Sequence, residues 1–290
     1  MQDSVAPRQP NFEAPLIVDL DDYSDKEEDY EDMRSVVVID ADDSEEPRNE
    51  HLLLAKRTKA LTISEERTVS NALKEPHDNS LVRKGIVLFN QPITRLQFKC
   101  LNKNEQVNDE IINFYMNMLQ EYDNSKGTCK RSHFFNTFFM AKLLEGGTYT
   151  FPNVQGWSKK FDISQLRRVF VPINIANWHW TMLVVNYPEK EIVYYDSLRL
   201  EGSQYLEAML QYLTDDSEAK GGQKIDRDQW TLRNAGVECP WQSNGNDCGI
   251  FAMLCADFLS DDLCLTYNMN DMEFYRLKIA AAILKGSLSY

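Results

Sequence analysis

Residues 171–198 read VPINIANWHWTMLVVNYPEKEIVYYDSL, and their pattern of residue types decides the fold class. With the preceding RRVF they hold three short runs, RRVFVPINI, HWTMLVVNY and EIVYYDSL, rich in Val, Ile, Tyr and Trp. Such side chains fit a pleated, half-buried surface, so each run is expected to be a strand. Tyr187-Pro188-Glu189-Lys190 between the last two predicts a hairpin. If Pro188 and Glu189 are its central residues, facing positions sum to 377; Asp196 then opposes Thr181, and His179 lies two residues along on the same face. Diagonal neighbours sit roughly 7–8 Å apart between backbones, within reach of an imidazole-to-carboxylate hydrogen bond. A three-residue loop would reverse the facing. A histidine in a sheet is most often a packing residue, so the hairpin by itself does not assign chemistry to the pair.

Outward from the hairpin the period changes from two to that of a helix. NDEIINFYMNMLQEY has Asn108 or Asp109 as its cap and apolar residues at 111, 112, 115, 118 and 119, which predicts a helix. SHFFNTFFMAKLLEG reads as a second, with Ser132 near its cap and Gly146 and Gly147 ending it. Downstream, YLEAMLQYL reads as a helix, residues 214–224 as a polar stretch, the surroundings of Trp230 as extended, and 248–260 and 271–285 as two more helices. Residues 52–75 are loosely helical until Pro76 breaks them, and the run from about 81 to 101 is extended and turn-like. The class is α+β, with helices packed on a small, mostly antiparallel sheet. Three regions are expected: 1–50 as a tail, 51–80 as a linker with a leading helix, and 81–290 as the folded domain.

Composition sets the tail apart. Residues 1–50 hold 17 Asp and Glu against four Lys and Arg, whereas the remaining 240 residues are nearly neutral, with 28 acids and 27 bases. A stretch so charged, with no Trp, cannot bury enough apolar surface to offset the entropy of ordering, and is expected to be disordered. Its acidity disfavours nucleic acid and anionic membranes as partners. No run approaches the roughly 20 apolar residues of a membrane span, and the N-terminus has no basic-then-apolar signal, so an intracellular protein is expected. The six cysteines, at 100, 129, 239, 248, 255 and 264, form no CxxC pair and read as reduced thiols.

One thiol stands out. In CPWQSNGNDCGIFAMLCADFL the polar QSNGND run ends at Asp247-Cys248-Gly249, and a helical pattern follows. At a helix N-terminus, unpaired amides and the positive end of the dipole favour thiolate over thiol. The bland reading of Cys248 is a small buried residue opening a core helix, as Cys255 is on the same face. Gln242, six residues upstream, could set its amide beside an oxyanion, with the Cys248 backbone N–H as second donor.

Taken in order, VPINIANWHWTMLVVNY, EIVYYDSL and CPWQSNGNDCGIFA resemble the catalytic blocks of the ubiquitin-like-protein-specific proteases, the SUMO (sentrin) proteases, which are papain-like in chemistry. NDEIINFYMNML and HFFNTFFMAKL resemble that family's upstream helical block, so the likeness spans about residues 62–288. It implies Cys248 as nucleophile, His179 as general base, Asp196 as the residue orienting it and Gln242 as the oxyanion-hole side chain. Trp180 matches the aromatic over the modifier's Gly-Gly tail, with ordinary core packing as its other reading, and Asp109 matches a position that meets basic residues of the modifier. The family's Trp-Leu-Asn-Asp block stands here as Gln106-Val107-Asn108-Asp109, so one tunnel wall is missing.

The implied reaction is cysteine-protease hydrolysis after a C-terminal Gly-Gly, in precursor processing or isopeptide deconjugation, with no metal and no cofactor. The implied partners are SUMO and SUMO-conjugated proteins; a monomer working in nucleus or cytoplasm is expected, although Lys56-Arg57-Thr58-Lys59 is a poor nuclear signal. In the tail, Ile17, Val18 and Leu20 and the run Val36, Val37, Val38 and Ile39 lie beside acids and resemble SUMO-interacting motifs, which add a strand to a sheet edge. Ser24 and Ser44 lie among acids as candidate phosphorylation sites. Two other readings stay open: a protease for another modifier such as NEDD8, and a non-catalytic pseudo-protease that binds SUMO.

Overall fold

A computed structural model describes residues 45–74, 76, 78–82, 88–127 and 131–288. The tail motifs, Ser24, Ser44 and Cys129 lie outside the described residues, as does the expected disorder of residues 1–44.

The three runs around the hairpin form the centre of a five-stranded sheet. Strands β2 (Arg168–Ile175), β3 (His179–Asn186) and β4 (Glu191–Tyr195) pair antiparallel, while the short edges β1 (His133–Phe134) and β5 (Thr231–Asn234) pair parallel to β2 and β4. The sheet is therefore mixed, antiparallel at its core. Alternation along β3 sends Trp180, Met182 and Val184 to one face and Leu183 and Val185 to the other, and a separate apolar core lies on each face.

The first core is built by α4 (Asp109–Ser125), α7 (Cys248–Leu259) and α8 (Met272–Lys285), the second by α5 (Phe138–Leu143) and α6 (Ser203–Ala219). Apart from Asp257, helix α7 is apolar on all sides, and every residue from Cys248 to Phe258 is buried, as expected of a helix sandwiched between the sheet and other helices. Asn108, not Asp109, caps α4, its side chain accepting from the Ile111 N–H at 3.0 Å.

Several sequence expectations need correction. The single loose helix over 52–75 is two, α1 (Glu45–Thr58) and α2 (Ile63–Lys74), divided where Thr62 and Glu65 cap α2 reciprocally. The boundary expected at residue 50 thus falls inside α1. Ser132 does not cap the second helix. His133 and Phe134 are drawn into the sheet edge beside β2, and α5 starts only at Phe138, whose N–H is taken by the Asn136 side chain at 3.0 Å. A four-residue helix, α3 (Arg95–Phe98), interrupts the run expected to be extended, held by a capping box between Thr94 and Gln97. Helix α6 continues through Thr214 and Asp216 because both are buried, Thr214 returning its hydroxyl to the Leu210 carbonyl and Asp216 bonding Ser158.

Candidate active site

β3 and β4 face each other with Met182 opposite Tyr195 and Asn186 opposite Glu191, the register that a two-residue turn dictates. The turn closes with the Lys190 N–H donating to the Tyr187 carbonyl at 3.2 Å around Pro188 and Glu189. His179 therefore opens β3 beside Asp196, which directly follows the last residue of β4. Their side chains meet, with His179 Nε2 2.8 Å from Asp196 Oδ1. The same carboxylate oxygen accepts the Leu198 backbone N–H at 2.7 Å, which fixes its orientation independently of the histidine.

Cys248 is the first residue of α7, buried, and near enough to the His179 imidazole to help hold its proton. Nε2 is taken by Asp196, which leaves Nδ1 for the thiol. Burial pushes the His179 pKa down, but hydrogen bonds and charge from Asp196 and Cys248 outweigh it and raise the value to about 9. A charged imidazole beside a sulfur at a helix N-terminus is the arrangement that supports a nucleophilic thiolate.

Gln242 is buried on the loop leading to Cys248. Its backbone N–H donates to the Ser197 carbonyl at 2.8 Å, its Oε1 accepts the Ser197 hydroxyl at 2.8 Å, and its Nε2 donates to the Asn244 carbonyl. Ser197 follows Asp196 in the chain, so these bonds tie the loop of the thiol to the loop of the carboxylate. Trp180 points to the opposite face of β3 from His179 and is buried, its indole N–H donating to the Val107 carbonyl at 2.8 Å. Gly249 lets α7 approach this indole: a Cβ there would stand 2.7 Å from Val107 and 3.3 Å from Trp180. Trp178 is half-buried, its ring 5.2 Å from that of His179. Gln106, at the position lacking the tunnel Trp, donates to the Gly245 carbonyl at 3.0 Å, a second tie onto the thiol's loop. Asp109 is half-exposed in the first turn of α4, its carboxyl pKa raised by burial and by Glu110.

Sequence reasoning missed Arg276 on α8. Buried, it bonds Asp247 Oδ1 at 2.8 and 2.6 Å and the carbonyls of Cys100, Asn102, Glu105 and Asn246 at 2.7–3.1 Å. It thus joins the residue before Cys248 to the segment before Gln106. The available signal was a lone Arg within the apolar spacing of MEFYRLKIAAAILK. No group of three His, Cys, Asp or Glu among the described residues could hold a metal, and Cys100, Cys239, Cys248, Cys255 and Cys264 are free thiols. No helix among them is long and apolar enough to cross a membrane.

Fold and site together define the class, an α+β protein of the papain-like kind with a thiol, an imidazole and a carboxylate gathered where one helix begins and a hairpin ends. The chain belongs to the Ulp1 protease family, whose C-terminal catalytic domain matches residues 105–288. It is 38% identical over 194 residues to a putative ubiquitin-like-specific protease 1B of Arabidopsis thaliana, a match covering 64% of this chain and 56% of that protein. It is 34% identical over 229 residues to the sentrin-specific protease 2 of Homo sapiens, covering 79% of this chain and 38% of the relative, so it spans about a third to a half of their lengths. Among solved structures it resembles the C-terminal Ulp1 protease domain in complex with Smt3, the yeast ortholog of SUMO, with TM-score 0.67 and 29% identity over 79% of this chain and 98% of that one.

Proposed function

We propose that the protein is a SUMO-specific cysteine protease that hydrolyses the bond after the modifier's C-terminal Gly-Gly, using Cys248, His179 and Asp196. The observation carrying this reading is the buried 2.8 Å contact between His179 and Asp196, made beside Cys248 in a chain of the Ulp1 family. Cys248 Sγ attacks the glycine carbonyl carbon, the oxyanion meets the Cys248 N–H and the Gln242 amide, and His179 gives its proton to the departing amine as the C–N bond breaks. Water then attacks the thioester, His179 takes its proton, and the glycine carboxylate and the thiol are released. Asp196 holds the ring in place for both stages. Trp180, Asp109 and the tail's aliphatic runs are assigned to the modifier.

A second reading, a protease for another modifier such as NEDD8, is favoured by one feature, Gln106 where the family has its tunnel Trp. SUMO, NEDD8 and ubiquitin, each carrying an electrophile at the terminal glycine, separate the two. An adduct with SUMO alone, lost in Cys248→Ala, is expected; an adduct with NEDD8 alone would change the substrate and keep the mechanism. No adduct with any modifier would leave only the pseudo-protease.

A further inference from the structure

At the end of the sheet remote from Cys248, an open groove of about 770 Å³ runs between the hairpin turn and the segment following α6. Lys159, Lys160, Lys190, Lys220 and Lys224 line it, against only Asp162 and Asp226. Phe161, Tyr187 and Trp230 form its apolar floor, Tyr187 and Trp230 packed edge to face at 5.2 Å. Two of the cations are engaged locally: Lys220 bonds Asp216 and the carbonyls of Ser158 and Phe161, and Lys190 bonds Gln229. Both acids are also engaged, Asp162 with the Ser164 N–H and Asp226 with Gln229. Lys159, Lys160 and Lys224 are exposed and turn their charge to solvent. The proposed reaction does not use this surface, since the eight residues of β3 put it roughly 25 Å from His179.

We infer that the groove is the docking site of the chain's own acidic stretch Asp19–Asp32, DLDDYSDKEEDYED, bound in cis. That stretch carries nine acids and one lysine, and it places two aromatics, Tyr23 and Tyr30, among them. It is the densest acidic run of a chain whose residues beyond 50 are nearly neutral, so charge and aromatic content match the groove together. The path is short enough. Arg57, in the last turn of α1, bonds Asp261, the next residue pairs with Arg167 and Arg168, and the Arg167 carbonyl accepts the Tyr187 N–H at 3.1 Å, so that end of α1 is tethered toward the groove, and Glu45, where the tail leaves, lies roughly 18 Å from it along the helix. The dozen residues from Asp32 to Glu45 can span roughly 40 Å when extended. A phosphate on Ser24 strengthens the attraction.

The test is lysine acylation of the full chain, read site by site by mass spectrometry, against a variant with the nine acids of 19–32 changed to Asn or Gln. These changes alter none of the contacts described for the folded residues. Lys159, Lys160 and Lys224 are expected to react roughly tenfold more slowly in the parent than in the variant, the factor that about 1.4 kcal/mol of docking gives. Lys74, Lys103 and Lys142 should be unchanged, and salt of roughly 0.5 M should abolish the difference. Equal rates in the two chains would overturn the inference; protection that vanishes on dilution would assign the groove to the tail of a second copy and overturn docking in cis. The readout is independent of the reaction proposed above.

Discussion

Burial pulls the His179 proton off while Asp196 and Cys248 hold it on, and the balance at about 9 leaves the imidazole charged at neutral pH. Its unfolded value is roughly 6.5, so the folded state binds the proton more tightly; the stability this gives is complete below that value and is lost as pH rises through about 9. Asp196→Asn removes the charge that holds the ring. Its kcat/KM on a Gly-Gly substrate should fall roughly 10²–10⁴-fold, and the alkaline limb of the pH profile should move below its wild-type position near 9. A limb that stays in place would belong to another group. Gln106 tests the missing wall: Gln106→Trp replaces a polar tie to Gly245 with an aromatic face and should lower KM by roughly 2–10-fold with kcat nearly unchanged. A raised KM would mean that the Gly245 tie, and not the absent ring, governs tail binding.

Among the elements, the hairpin was legible to the residue because side-chain period and turn length together leave one register, and that register alone brings His179 to Asp196. Helix α7 was equally plain, an apolar run beginning after a polar loop. What could not be read were contacts made across the chain. Arg276 sits on a helix whose pattern says only that it is buried, and its partners at Cys100, Asn102, Glu105 and Asp247 lie 29–176 residues away. His133 and Phe134 belong to the sheet by proximity to β2, although their local sequence suits a helix. Gly249 shows the same limit. Its place on α7 demands no special backbone conformation, and only the approach of Val107 and Trp180 explains it. Gly249→Ala should therefore cost about 1–3 kcal/mol in urea unfolding, and adding Val107→Ala should recover part of that loss. An additive double mutant would remove the packing explanation.

For the molecule as a whole, α1 is fastened to the helices of the first core by an ionic cluster. Arg57 is 1% exposed, bonding Asp257 Oδ1 at 3.0 Å and Asp261 at 2.7 Å; Tyr115 and Tyr122 donate to the same two carboxylates, and Lys126 lies 2.5 Å from Asp261. Lys278 adds bonds to the carbonyls of Lys56, Arg57 and Lys59, with a pKa lowered by burial to about 8. Arg57 is thus a core residue, whereas Lys59 is exposed and Lys56 half-exposed. Arg57→Ala leaves two buried carboxylates short of a cation and should lower stability by about 3–5 kcal/mol, measured by denaturant unfolding. A loss below roughly 1 kcal/mol would show that α1 is only loosely attached.

The bond between Arg57 and Asp257 joins residues 200 positions apart. As the chain leaves the ribosome, α1 is made before the sheet, the hairpin and the thiol, and its carboxylate partners after them. Helix α1 must wait while the 200 positions to Asp257 are made, and the closure of so long a loop is slow relative to local helix formation. Cys248 precedes Asp257 by only nine residues, so the nascent chain carries that thiol briefly before the Arg57 cluster can lock α7, the helix that begins at it.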